Sequence, residues 1–490
     1  MTKSQITFII PSFFDLERYQ KLLYYNDLPL GTLQISSYLK KYNDIKTDII
    51  DMRVEEENDP KWDSESKNII KFKEFCLKVL ESKIQDSQYI GINCFTSYQY
   101  LQSKIIAELI KKHFKDNIIF IGGYHPSSKP QDFSYSQSPF DFVIVNEAEY
   151  LISEYLKKRK SPFTNKNKRT EILKAKRILN INDLPSPDYE LYLNKYPYYN
   201  KFKFELYASR GCPYQCAFCS LNYRFRRYNF DNFKKTFEIL VDIVLKTNKE
   251  NPKISFADQA FFSLSIKDKI LDYIIKEELQ DKITFSCQSR VETVGNELRL
   301  IKKIKNAKLI IGYGFESADK KLLVGMKKTK NPTNYLNKMK DIIEIYKNNH
   351  INYCRLNILC GFPGENKTSF NNTIDFVRKY ASHENIQLSP SLFSCYPNTP
   401  VYHNMKYYEN LYGSEFNDNW WKSNRNQFKF SVLKRCSSNY LLRDLIYDYK
   451  ENYITLLNIF KFSNFRDLAI WKKFYNDWYN ELNFNETLLK

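Results

Sequence analysis

From the start of the chain, short apolar runs rich in Ile, Val and Phe alternate with longer stretches of helical periodicity, the pattern of a parallel sheet buried on both faces. The runs at 6–12, 47–53, 89–96, 117–123 and 141–147 predict strands, and the stretches at 31–42, 69–83, 98–113 and 148–158 predict the helices between them. Five such strands make an α/β, flavodoxin-like (Rossmann-type) doubly wound unit over 1–156, whose ligand crevice lies beyond the carboxyl ends of the strands. Those ends carry Cys94-Phe95-Thr96-Ser97, Gly122-Gly123-Tyr124-His125-Pro126 and Asn146-Glu147.

A second alternation begins at residue 204. Strands are expected at 204–210, 253–258, 283–288, 308–315, 352–359 and 386–395, with helices at 230–247, 266–278, 294–305, 332–349 and 367–380. Six consecutive strand-then-helix units over 204–400 predict a partial (β/α)6 barrel of the TIM type, with its chemistry at the carboxyl ends of the strands. Residues 401–490 lose the alternation and read as a mainly helical, aromatic-rich region that holds Trp420, Trp421, Trp471 and Trp478.

Charge adds a connector to this picture. The 490 residues carry 75 Lys and Arg against 56 Asp and Glu, a net charge of +19, which would suit a polyanionic partner or simply a solvated surface. The excess is uneven: residues 1–156 hold 18 basic and 22 acidic side chains, whereas 157–177 hold ten basic residues and the single acid Glu171. Residues 157–203 therefore read as a basic connector, closed by the turn signal Leu184-Pro185-Ser186-Pro187-Asp188. A solvated linker is the reading preferred over a nucleic-acid groove, so nucleic acid is not an expected partner. No apolar stretch reaches the roughly 18–20 residues that span a bilayer, and the amino terminus has no signal-peptide pattern, so a reducing cytoplasm is the expected compartment.

Ten cysteines are too sparse for a disulfide scaffold, but three of them stand together. Cys212, Cys216 and Cys219 have the spacing C-x3-C-x2-C just past the first strand of the second region. Thiolates are soft ligands suited to iron–sulfur clusters or zinc. Three thiolates leave one iron of a four-iron cubane open, whereas a structural zinc site would close its fourth position, and no nearby Cys or His follows Cys219 to do so. The loop resembles that of the radical S-adenosylmethionine (SAM) superfamily. The resemblance implies a [4Fe-4S] cluster on these three cysteines, SAM on the open iron, and reductive cleavage of SAM to a 5′-deoxyadenosyl radical.

The expected barrel mouth continues the resemblance. Phe256-Ala257-Asp258-Gln259-Ala260-Phe261 is similar to the segment that replaces the glycine-rich SAM motif in cobalamin-dependent members, with Gln259 where a second acid is common. Gln288-Ser289-Arg290 could pair a guanidinium with the methionine carboxylate of SAM. Gly314-Phe315-Glu316-Ser317, Gly361-Phe362-Pro363-Gly364-Glu365 and Tyr396-Pro397-Asn398-Thr399-Pro400-Val401-Tyr402 resemble the family's later strand-end segments. By this resemblance Asp258, Ser289, Arg290, Glu316 and Ser317 are expected at SAM.

Residues 1–156 look like the cobalamin-binding domain fused before the barrel in the class B type, methyltransferase-like members. The resemblance implies cobalamin at Thr96, Ser97, Gly122, Gly123, His125 and Glu147. The chain has five histidines, none of them in the D-x-H-x-x-G motif that ligates cobalt from below in cobalamin mutases, so no lower ligand from that motif is expected. The implied activity is C-methylation of an unactivated carbon in a small-molecule, natural-product-type or peptide substrate, with electrons from a donor such as flavodoxin or ferredoxin. Alternatives are a cyclase, oxidase or rearrangement enzyme with the same cofactors, a tRNA-modifying methylthiotransferase, and a zinc-containing nucleic-acid-binding protein. The methylthiotransferase would need a second cysteine cluster, and the amino-terminal unit offers only Cys76 and Cys94.

Overall fold

The computed structural model describes residues 5–13, 27–59, 69–158, 169–197, 204–221, 223–247, 251–293, 298–349, 351–424, 426–454 and 468–487. The chain divides into two compact units, residues 1–203 with 419–429, and residues 204–418 with 430–490.

The first unit is built on a six-stranded sheet of β1 (Gln5–Ile10), β2 (Lys46–Asp51), β3 (Tyr89–Asn93), β4 (Ile118–Gly122), β5 (Phe142–Val145) and β6 (Glu171–Lys174), in the order β2-β1-β3-β4-β5-β6. All of its strand pairs are parallel. The strands are apolar runs because both of their faces are covered, and Ile6, Phe8, Ile9, Ile49, Ile90, Ile119 and Val143 are all buried. Helices α1 (Leu30–Asn43), α2 (Met52–Asn58), α3 (Ile69–Lys83), α4 (Tyr100–His113), α5 (Tyr124–Ser128) and α6 (Glu149–Lys158) intervene. The strand expected to run to Arg53 stops at Asp51, whose carboxylate accepts the Arg53 N–H at 3.0 Å and so starts α2. Chain order reverses between β1 and β3, which opens a crevice at the carboxyl end of the sheet.

The stretch expected as a connector contributes to this unit. Strand β6 pairs with β5 from Phe142↔Glu171 to Val145↔Lys174 as an edge strand. Its side chains are mostly exposed, so backbone bonds alone hold it and no apolar run announces it. Helix α7 (Tyr189–Lys195) follows, and the Tyr192 hydroxyl donates to Asp51 at 2.8 Å while the next tyrosine, Tyr196, accepts the Asp51 N–H at 2.8 Å. Residues 159–168 and 198–203 of the expected connector lie outside the described residues.

The second unit carries β7 (Phe204–Leu206), β8 (Lys253–Phe256), β9 (Thr284–Arg290), β10 (Ile310–Glu316), β11 (Cys354–Cys360) and β12 (Ile386–Leu392), paired in parallel in sequential order. Six parallel strands in sequence, open between the first and last, form the expected partial barrel. Helices α8 (Phe230–Thr247), α9 (Lys267–Lys276), α10 (Leu298–Asn306), α11 (Lys320–Gly325), α12 (Pro332–Asn348) and α13 (Lys367–Tyr380) come between the strands. Phe233, Phe237, Phe256 and Phe285 pack α8 onto β8 and β9, with the Phe256 and Phe285 rings stacked at 6.1 Å. Residues 294–297, expected to begin α10, lie outside the described residues.

After β12 the chain is largely helical, as expected, but it includes a small hairpin of Arg435–Ser437 with Tyr440–Leu441. Helices α14 (Pro400–His403), α15 (Met405–Tyr412), α16 (Gln427–Ser431), α17 (Leu442–Tyr449) and α18 (Leu468–Thr487) surround it in sequence. Among the described residues no helix is long and apolar enough to cross a membrane.

Candidate functional site

The strand expected at 204–210 is interrupted, and the interruption builds the cysteine loop. After Leu206 the chain leaves the barrel sheet, and Ser209–Arg210 pairs antiparallel with Arg226–Arg227, bracketing residues 211–225. Gly211 turns the chain at φ +80°, where a Cβ would stand 2.5 Å from the Arg224 carbonyl oxygen and 2.6 Å from that of Tyr223. The loop is pinned further on by two backbone bonds, Ala217 N–H to the Met326 oxygen at 2.8 Å and Val401 N–H to the Ala217 oxygen at 3.1 Å. Strand ends after β7, β10 and β12 are thereby tied around one loop.

Each of the three thiols on the loop receives an N–H. The Tyr214 backbone donates to Cys212, Leu221 N–H reaches the Cys219 sulfur at 3.4 Å, and the Arg290 guanidinium reaches the Cys216 sulfur at 3.0 Å. All three cysteines are free of disulfides, and Cys216 is 8% exposed. Burial pushes the Cys212 thiol up and that of Cys219 up to about 11, with the neighbouring sulfurs adding to both shifts. A metal centre binding there would displace the thiol protons. Among the described residues no three His, Cys, Asp or Glu side chains converge on one ion position. A cubane places each thiolate on its own iron, and N–H donors to its sulfurs are a usual part of its surroundings. The donor set fits a [4Fe-4S] cluster.

Arg290 and Glu316, expected at the mouth, come to this loop. Arg290 is 6% exposed, lies over the Tyr214 ring at 4.1 Å from its centroid, donates to the Lys328 carbonyl oxygen and meets Glu292 at 3.2 Å. Its Nε–H has no acceptor. A register shift in β10 after Gly314 puts Glu316 at φ +66°, and its carboxylate pairs with the Lys328 ammonium at 2.8 Å. Gly314 leaves room for that pair, since a Cβ there would lie 2.6 Å from Lys328 Nζ. The ammonium also stands 5.9 Å from the centroid of the Phe218 ring, between the second and third cysteines in sequence.

The other residues expected at SAM have protein partners. Asp258 accepts the Ala208 N–H at 2.9 Å through one oxygen and the Ser209 hydroxyl through the other, and burial raises its carboxyl to about 6 despite those bonds. Ser289 bonds Thr293 at 2.9 Å. Ser317 bonds Thr373 at 3.0 Å and accepts the Asp319 N–H at the start of α11. Three neighbours escaped the sequence reading: Lys328, hidden in the surface-like run Lys327-Lys328-Thr329-Lys330; Tyr214, inside the loop itself; and Tyr335, whose hydroxyl donates to the Gly314 oxygen at 2.7 Å. Nothing in their local sequence sets them apart.

In the first unit the structure separates the residues expected at cobalamin. Gly123 is required by the chain, because at its φ of +115° a Cβ would stand 2.4 Å from the Cys94 oxygen. Gly122 ends β4, and a Cβ there would make only ordinary contact, 3.9 Å from the Ile144 Cβ. Glu147 accepts the Ile178 N–H at 3.1 Å, fixing the segment after β6. His125 is 1% exposed and has both ring nitrogens engaged, with Ser97 at 2.7 Å and Asp132 at 3.3 Å, so none is free to meet a cofactor. Burial lowers the His125 pKa and favours the neutral ring. Asp132 also takes the Trp421 indole N–H and the Lys422 ammonium, each at 2.8 Å; burial opposes its ionisation, but these bonds prevail and hold it at about 2. Thr96, by contrast, has a buried hydroxyl oxygen without a partner, and beside it Phe95 is 56% exposed with its ring 5.1 Å from that of Tyr124. Phe95 and Tyr124, at the carboxyl ends of β3 and β4, are the apolar surface of the crevice that the sequence reading passed over.

A family model described as the radical SAM superfamily matches residues 206–377. The chain is 26% identical to an uncharacterised methyltransferase of Pyrococcus horikoshii over 365 residues, 72% of this chain and 73% of that one. It is 25% identical to the 4′-phospho-dehydrooxetanocin synthase of Priestia megaterium over 295 residues, which cover 54% of this chain and 36% of the synthase. Among solved structures, the apo form of the cobalamin-dependent SAM radical enzyme OxsB matches with a TM-score of 0.61 at 16% identity, over 98% of this chain and 71% of that one. The family implies an enzyme that uses a [4Fe-4S] cluster and SAM and needs a reductant and a substrate. The three cysteines, on a loop at the mouth of a six-stranded parallel barrel, thus lie in a radical SAM domain spanning residues 206–377, and the chain as a whole, with a Rossmann-like sheet ahead of that barrel in sequence, shares the fold of OxsB.

Proposed function

We propose that the protein is a cobalamin-dependent radical SAM enzyme that methylates an unactivated carbon of a small-molecule or peptide substrate. The observation that carries this reading is the presence in one chain of a cysteine-loop barrel and of a doubly wound sheet whose strand-end crevice presents Phe95 and Tyr124. A broad flat cofactor suits an apolar, aromatic surface of this kind. The name of the methyltransferase relative and the OxsB-like fold point the same way. Bound in these places, the cluster would supply the electron that cleaves SAM and cobalamin would carry the methyl group.

The chain's own residues have narrower tasks. Cys212, Cys216 and Cys219 would hold the cluster. The free Nε–H of Arg290 and the Lys328–Glu316 pair are the polar groups beside it, and Arg290 is our candidate for receiving the SAM carboxylate. Asp258, Ser289 and Ser317 act through the backbone and side chains they hold. Cobalamin would bind without a nitrogen from His125. The net charge of +19 would draw in an acidic electron carrier of the flavodoxin or ferredoxin kind, in a reducing cytoplasm.

Anaerobic reconstitution with iron, sulfide, cobalamin and SAM tests the proposal. It expects cobalamin retained through gel filtration, with both 5′-deoxyadenosine and S-adenosylhomocysteine produced. A second reading, ring-forming or oxidative chemistry without methyl transfer, is favoured by the relative named as a synthase. It would give the first product without the second. A cluster-loaded protein that yields neither product would overturn both.

A further inference from the structure

The three N–H donors to the cysteine sulfurs are of different kinds. Those to Cys212 and Cys219 are neutral backbone amides of the loop itself. The donor to Cys216 is a charged guanidinium from the end of β9, 74 residues away in sequence, at 3.0 Å. Three further contacts fix Arg290 there, the Tyr214 ring face at 4.1 Å, the Lys328 carbonyl oxygen and Glu292 at 3.2 Å, and the residue is only 6% exposed. A side chain needed only to receive a diffusing carboxylate would not require a bond to the cysteine as well.

We infer that Arg290 is a positioning residue that sets the reduction potential of the cluster through its N–H···S bond to Cys216. A cubane on three thiolates is an anion that gains a further negative charge on reduction. A buried cation hydrogen-bonded to one of its sulfurs stabilises the reduced form more than the oxidised one, so it raises the potential. Glu292, 27% exposed at its side chain, offsets this charge only in part. The two backbone donors are intrinsic to the loop, so Arg290 is the donor that a side-chain change can remove. The inference rests on the cluster reading but not on cobalamin or on methyl transfer.

The test is a mediator-buffered redox titration of the full-length protein, reconstituted with iron and sulfide alone and followed by the electron paramagnetic resonance signal of the reduced cluster. At the potential where the parent is half reduced, Arg290→Gln is expected to show a reduced-to-oxidised ratio about tenfold lower, a downward shift of about 59 mV for one electron. Arg290→Lys, which keeps the charge but loses the planar fork, is expected between the two. Midpoints equal to the parent's in both variants at matched iron content would overturn the inference. Should Arg290→Gln fail to hold iron, the Lys variant decides: a lowered midpoint supports the assignment and an unchanged one overturns it. A parent that takes up no iron would sink the cluster reading and this inference together, whereas a loaded cluster indifferent to residue 290 sinks this inference alone.

Discussion

Asp258 accepts the backbone N–H of Ala208 at 2.9 Å, tying the end of β8 to the residue from which the cysteine loop departs. Its other oxygen takes the Ser209 hydroxyl, so one buried carboxyl satisfies two donors at the base of the loop. Leaving a buried donor unpaired costs about 1–3 kcal/mol. Asp258→Ala is therefore expected to lower the melting temperature and to reduce iron bound after reconstitution several-fold. Asp258→Asn, whose amide nitrogen would face one of the two donors, should recover only part of both. Full iron content in the Ala variant would show that the loop holds its shape without this clamp.

Removal of any one of Cys212, Cys216 or Cys219 should abolish the iron–sulfur absorbance of the reconstituted protein. Cys287→Ala should leave it intact, because Cys287 is buried within β9, 2% exposed, and its thiol is held protonated by burial. Iron and sulfide analysis of the four Ala variants separates the cases. A Cys287 variant that lost iron with the other three would mean a fourth thiol in the centre.

Gly211→Ala probes the turn that starts the loop. At φ +80° an L side chain costs roughly 1–2 kcal/mol by itself, and the added Cβ would meet the carbonyl oxygens of Arg224 and Tyr223, just ahead of the returning strand, at 2.5 and 2.6 Å. Neither is the end of a flexible side chain, so the short Ser209–Arg210 ladder must open. The expected result is less than about half the parent's iron, with far-ultraviolet circular dichroism unchanged because the barrel strands lie elsewhere. Parental iron content would count against the turn as a determinant of the site.

The sequence made the two sheets legible because parallel strands buried on both faces must be apolar runs, and helices between them must carry apolar stripes. It did not show β6, since an edge strand of sequence Glu-Ile-Leu-Lys is held by backbone bonds and has no run to display. The cysteines were legible because their spacing is local. Arg290 was legible as a charged residue at a strand end, but the sulfur it meets is 74 residues away, and no periodicity reports such a distance. Asp258 and His125 illustrate the same limit: each residue type at a strand end suggested a ligand, and each proved to be satisfied by protein groups that only the fold brings near. The grouping of 419–429 with the first unit, where Trp421 donates to Asp132, was visible only as aromatic content.

Glu365, in the loop after β11, gives a prediction in which the sign of a pH effect is fixed. Its side chain is buried and accepts the Gly361 N–H, while its own carbonyl oxygen takes the Ser437 hydroxyl at 2.8 Å. Burial raises the carboxyl from the ordinary 4.5 to about 8, with Asp319 and Asp448 adding to the shift and the Gly361 bond opposing it. Below about 4.5 the acid is protonated whether the protein is folded or not, so its contribution does not change with pH. Between 4.5 and about 8 the folded protein keeps a proton that the unfolded chain releases, and stability falls as pH rises. Glu365→Gln keeps an acceptor for Gly361 and has no proton to lose. The parent should therefore lose a few degrees more of melting temperature than the variant between pH 5 and pH 8. Calorimetry of both proteins across that range decides it, and parallel curves would mean that Glu365 reaches water and ionises without cost.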